Sequence, residues 1–295
     1  MAIFKGSGVA IATPFHKEDC SVDYESFDRL IEYQIAGHSD AIIVCGTTGE
    51  AATMSEEEYI AVCKFCIERV AGRVPVIAGA GSNNTAVAVD HSKKMQEIGA
   101  DGVLIVNPYY NKGTQNGIYE HMKAVSDAID IPIIMYNVPG RTGSNIAAET
   151  TARIVKEVKN VVGIKEASGN ISQIVKIMEL TDGNIDLYSG NDDQTVPILS
   201  MGGKGIISVV ANAAPTLMHD MCQAFFEGRV EEAAKLQCKS MPLFDAMFCE
   251  VNPIPVKKAL QMMNLCDGTV RLPLTQLEEK HTEQVKKALE GLSLL

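Results

Sequence analysis

Lys165 stands directly after the apolar, β-branched run Val161–Ile164 in V-V-G-I-K-E-A-S-G. A lysine there either reaches past a strand end into water or carries its ammonium out of water. Burial disfavours the charged form and can lower a lysine pKa by several units from ~10.4, leaving some free amine at neutral pH. A free amine attacks carbonyl carbon. Polar groups follow other apolar runs of the chain in the same way: G-T-T-G-E (46–50), N-P-Y-Y-N-K (107–112), Y-N-V-P-G-R-T-G (136–143) and S-G-N-D-D (189–193). An amine facing hydroxyl groups and an arginine suits Schiff-base chemistry on an oxo-acid. The lysine condenses with the ketone, the iminium withdraws electrons, and the adjacent carbon loses a proton to give an enamine. Phenols and a threonine hydroxyl can relay those protons.

Each residue also has a structural alternative. Thr47 and Thr48 can cap a following helix, and Tyr109 and Tyr110 can be packed rings with a satisfied phenol. Arg141, beside a Pro-Gly turn, suits a bidentate carboxylate clamp. Asp192 and Asp193 read as acids at the N-terminus of the next helix. G-G-K-G (202–205) is a weak phosphate signal.

Other chemistries fit less well. The six histidines, at 16, 38, 91, 121, 219 and 281, form no H-x-H or H-E-x-x-H spacing, so neither a metal nor another cofactor is expected. The only C-x-x-C, Cys63 to Cys66, lies in a strongly helical segment without a second ligand pair, and the eight cysteines read as small core residues and free thiols. A net charge of −11 argues against nucleic acid or an anionic membrane as partner. No run approaches the ~20 apolar residues of a membrane span, and the start M-A-I-F-K-G-S-G lacks the marks of a signal peptide. A cytoplasmic protein is expected.

The elements that must position these residues are eight apolar runs, beginning at Val9, Ala41, Val74, Val103, Ile131, Val161, Ile185 and Gly205. Helical segments separate them, one opened by the capping box Ser55–Glu58. Most repeats are about 25–33 residues, one strand plus one returning helix, and eight such units close a (β/α)8 TIM barrel. An open doubly wound sheet is weaker, because no G-x-G-x-x-G follows the first strand. The expected organisation is an α/β catalytic barrel over 1–229 and a C-terminal helical appendage over 230–295, with N-P-I-P at Asn252 separating two helices. In such barrels the chemistry sits where the strands end, so the groups named above face one cavity.

The combination of G-T-T-G-E, Y-N-V-P-G-R-T-G and G-I-K-E-A-S-G, in that order, resembles the dihydrodipicolinate synthase family, over essentially the whole chain. The resemblance implies condensation of pyruvate with aspartate-β-semialdehyde in diaminopimelate and lysine biosynthesis. It implies that Lys165 forms the Schiff base, that Tyr136 and Thr47 relay protons, and that Tyr110 crosses a dimer interface to complete a neighbour's relay. Thr48 would bind the pyruvate carboxylate, Arg141 the carboxylate of the semialdehyde, and the backbone at Gly190 and Ile207 would line the site. A homo-oligomer, a dimer of dimers, is implied as well. The alternative within the superfamily is N-acetylneuraminate lyase and the sugar-acid aldolases, which are more similar to G-S-T-G-E and typically lack the arginine. From another class, a binding or scaffold protein on a retired barrel is the alternative. An effector pocket for lysine at the dimer interface would use Asn83 and Tyr109, which fit, together with Glu56 and Val87, which depart from the pattern. Weak or absent lysine inhibition is therefore expected.

Overall fold

The computed structural model describes residues 2–295. Its eight parallel strands are β1 (Gly6–Ala10), β2 (Ala41–Val44), β3 (Val76–Gly79), β4 (Gly102–Val106), β5 (Ile133–Asn137), β6 (Val161–Glu166), β7 (Asp186–Ser189) and β8 (Gly205–Ser208). They pair in chain order and close on themselves, β8 against β1, as the expected barrel. β3 and β5 each begin one residue after a proline, Pro75 and Pro132, which has no N–H for a sheet ladder. β1 begins at Gly6 rather than at the apolar Val9, because closure occurs on glycine. Gly6 and Gly205 are register partners, and a Cβ on Gly205 would lie 1.8 Å from the Gly6 carbonyl oxygen.

Helices return between the strands: α1 (Tyr24–Ala36), α2 (Glu56–Val70), α3 (Thr85–Glu97), α4 (Gln115–Ser126), the single turn α5 (Pro139–Thr142), α6 (Ala148–Glu157), α7 (Ile171–Leu180), α8 (Thr195–Ser200) and α9 (Pro215–Phe226). The expected capping box is formed: Ser55 accepts from the Glu58 N–H, and the Glu58 carboxylate accepts from the Ser55 N–H. Alternation along the strands divides the apolar residues into two layers. One packs strands against helices, with Val9, Ile42, Val44, Val103, Ile105 and Ile164 among its members. The other fills the barrel interior with Phe4, Ile43, Ile77, Leu104, Tyr136, Tyr188 and Ile207. Tyr188 stacks on Phe4 at 4.3 Å and donates from its hydroxyl to the Phe4 carbonyl, which plugs the barrel floor.

Three helices follow the barrel: α10 (Val230–Met247), α11 (Ile254–Met262) and α12 (Glu279–Glu290). This C-terminal region is tied to the loop after β2 by a buried ion pair between Lys257 and Glu50, side chains 0% and 1% exposed. Lys257 Nζ also donates to the Thr269 carbonyl at 2.7 Å and lies 4.0 Å from the centre of the Phe15 ring. The second Glu50 oxygen accepts from the Arg271 N–H at 3.0 Å. Arg271 continues the tie through paired hydrogen bonds to Glu58. No helix among the described residues is long and apolar enough to cross a membrane. The cysteines are all free, but only Cys45, Cys63, Cys66, Cys222 and Cys266 are buried. The expectation of eight core cysteines is corrected for Cys238, which is exposed, and for Cys20 and Cys249, which are half-buried.

Candidate active site

Lys165 is the fifth residue of β6, in register with Tyr136 on β5 and Tyr188 on β7. It is 5% exposed, and its Nζ lies 4.3 Å from the centre of the Tyr136 ring. Burial pulls the amine down to about 8; the Asp192 carboxylate opposes that fall and the Arg141 guanidinium adds to it. Relative to the ordinary 10.5, that drop raises the free-amine fraction at pH 7 by ~300-fold. Burial also pushes the Tyr136 phenol up to about 12, so it stays protonated at neutral pH and can donate.

The amine opens onto a cavity of about 440 Å³ at the C-terminal ends of the strands, lined among others by Thr47, Thr48, Tyr109, Tyr136, Arg141 and Gly190. Cys45 and Glu50, which flank Gly46–Gly49, both have left-handed backbones (φ 53° and 54°). Non-glycine residues hold that conformation at a cost of about 1–3 kcal/mol each, so the surrounding contacts must fix the loop. The Glu50–Lys257 pair is one such contact. Thr48, 2% exposed, is fixed by another: its Oγ1 accepts from Asn252 Nδ2 at 2.9 Å. Thr47 is exposed to the cavity. Arg141 sits on the one-turn α5 with Pro139 at its first position, and its Nη2 donates to the Asn252 carbonyl at 3.3 Å.

Gly190 closes the wall after β7, where a Cβ would lie 2.6 Å from that of Ala167. Ile207 is 1% exposed, with its side chain in the barrel interior. Tyr110 is 88% exposed with φ 68° and lies outside its own chain's cavity, whereas Tyr109 lines it. Of the expected effector residues, Glu56 is at the cavity edge and is ion-paired to Lys94. The Asn83 carbonyl accepts from Asn111, and Val87 is half-buried on α3.

Asp192 corrects the sequence reading. Asp193 is exposed, as expected of an acid before a helix, but Asp192 is 2% exposed and faces inward. Its carboxylate accepts from the Ser208 hydroxyl and the Val209 N–H, and burial pushes it up to about 6. It is the anion that partly supports the Lys165 ammonium. Asn252 and His91 also line the cavity without having been singled out as site residues. His91 packs on Tyr59 at 4.8 Å, and burial lowers its pKa.

The closed barrel and the cavity at its strand ends define a (β/α)8-barrel enzyme. A model of the dihydrodipicolinate synthetase family matches residues 3–292. A protein of Caldicellulosiruptor bescii named 4-hydroxy-tetrahydrodipicolinate synthase is 56% identical over 289 residues, covering 98% of this chain and 97% of the relative. The crystal structure of dihydrodipicolinate synthase from Thermotoga maritima superposes with a TM-score of 0.97 at 45% identity, over 100% of both chains. A structure of the Cyanidioschyzon merolae synthase with lysine bound gives 0.97 at 41% identity, again over 100% of both. The chain belongs to the dihydrodipicolinate synthetase family.

Proposed function

We propose that this protein is a Schiff-base synthase that condenses pyruvate with aspartate-β-semialdehyde, the 4-hydroxy-tetrahydrodipicolinate synthase reaction of diaminopimelate and lysine biosynthesis. The observation that carries the reading is the buried Lys165 amine beside the Tyr136 phenol in a cavity that also holds Thr48 and Arg141. Lys165 Nζ attacks the keto carbon of pyruvate, and loss of water leaves an iminium. Loss of a methyl proton gives the enamine, whose terminal carbon bonds to the aldehyde carbon of the second substrate. The amino group of that substrate then displaces Lys165 as the ring closes. Tyr136 and Thr47 move protons in these steps, Thr48 receives the pyruvate carboxylate, and Arg141 receives the carboxylate of the semialdehyde.

The exposure of Tyr110 supports a further part of the reading, in which it enters the relay of a neighbouring subunit within a dimer of dimers. The division into a catalytic barrel over 1–229 and an appendage over 230–295 is supported by the start of α10 at Val230. The test is sodium borohydride reduction in the presence of pyruvate, followed by a coupled assay with both substrates. The expected result is one reduced three-carbon adduct that peptide mapping places on Lys165, and turnover that requires the semialdehyde. An adduct on a different lysine, or no turnover with both substrates, overturns the proposal.

A further inference from the structure

Asn252 belongs to N-P-I-P, between α10 and α11, in the part of the chain that follows the barrel. It is 4% exposed and forms part of the cavity wall. Its Nδ2 donates to Thr48 Oγ1 at 2.9 Å, the only side-chain hydrogen bond made by that hydroxyl among the described residues. Its Oδ1 is buried without a partner there. A buried amide oxygen left unpaired costs stability, so this is a poor arrangement for a residue whose role is only to hold the fold.

The direction of the bond has a chemical result. A hydroxyl has one proton and two lone pairs. The amide proton occupies one lone pair of Thr48 Oγ1, so the threonine's own proton is turned away from Asn252 toward another acceptor. A carboxylate oxygen in the cavity is such an acceptor, and a hydrogen bond to a charged group is stronger than one between neutral groups. We propose that Asn252 is a positioning residue that fixes the Thr48 hydroxyl as a donor to the carboxylate of the keto-acid. The barrel thus supplies the nucleophile, while the appendage sets the polarity of the group that holds the acid in front of it. This inference rests on the reading of the cavity as a keto-acid site.

The test measures the pyruvate concentration that gives half-maximal borohydride-trapped adduct, by intact mass, for the unaltered protein and for N252A, N252D, T48V and the N252A/T48V pair. Removing one hydrogen bond's influence on a charged ligand corresponds to about a tenfold change. The expected result is a half-saturating concentration raised about tenfold in N252A, with the adduct yield at saturating pyruvate unchanged. N252D, which keeps the shape but draws the Thr48 proton toward itself, is raised at least as far, and it serves if N252A does not fold. In the T48V background the N252A change has no further effect, which a residue acting only on the fold would not produce. Half-saturation unchanged in both Asn252 variants, or an N252A effect of equal size with and without the Thr48 hydroxyl, overturns the inference and leaves the keto-acid reading intact. No adduct in the unaltered protein overturns both.

Discussion

The depressed Lys165 amine makes a prediction that can be read without turnover. With a pKa of about 8, the free amine is about 9% of the lysine at pH 7, about half at pH 8 and about 90% at pH 9. Trace acetylation with acetic anhydride, followed by peptide mapping, should therefore label Lys165 about fivefold faster at pH 8 than at pH 7, and less than twofold faster again at pH 9. An exposed lysine gains about tenfold at each step, because its titration lies above the whole interval. Asp192→Asn sharpens the test. The carboxylate favours the ammonium, so its removal moves the midpoint to lower pH, while Arg141→Leu, which removes a like charge, moves it to higher pH. Asp192 is pushed up to about 6, so measurements from pH 7 upward compare an ionised carboxylate with a neutral amide. Tenfold gains continuing through pH 9, or a midpoint raised by Asp192→Asn, would refute the account of burial opposed by one anion.

Other changes separate roles that share the same cavity. Arg141→Leu should raise the half-saturating semialdehyde concentration at least about tenfold in the coupled assay, while borohydride trapping of pyruvate above pH 9 changes little; equal loss of both would make Arg141 a structural residue. Lys257→Met leaves the Glu50 carboxylate buried beside fewer donors, so it should cost about 3–5 kcal/mol in urea unfolding, with part of the loss recovered by adding Glu50→Gln. A cost below about 1 kcal/mol, the range of an exposed pair, would contradict the buried-pair reading. Free lysine should inhibit weakly, since Lys94 already occupies the Glu56 carboxylate and Val87 offers none; half-inhibition well below millimolar in a lysine titration would show that the pocket works without them.

The barrel is legible in the sequence because parallel strands are covered on both faces, so they read as unbroken runs such as A-I-I-V and V-L-I-V. Lys165 is legible for the same reason, as a charge where such a run allows none. β1 is less so: Gly-Ser-Gly resembles a turn, and its place in the sheet follows from crowding that only the closed barrel creates. A Cβ on Gly8 would lie 2.7 Å from Ile43 Cδ1. Asp192 resembles an ordinary acid before a helix, and its inward direction is set by Ser208 and Val209 on the next strand end. Asn252 carries no local mark of function, because its partner Thr48 lies 204 positions earlier.

That separation also has a consequence in time. The Arg271 N–H that closes on Glu50 is 221 residues downstream. At a synthesis rate of about 5–20 residues per second, it is made roughly 10–45 s after the loop it restrains. During that interval the emerging strands can begin to bury their side chains, but the left-handed turns at Cys45 and Glu50 lack the groups that later hold them. A chain interrupted after α9 would carry the amine with no Asn252 behind Thr48 and no Lys257 against Glu50. Competence for the proposed reaction thus waits on residues made after α9, which arrive to seat the loop after β2.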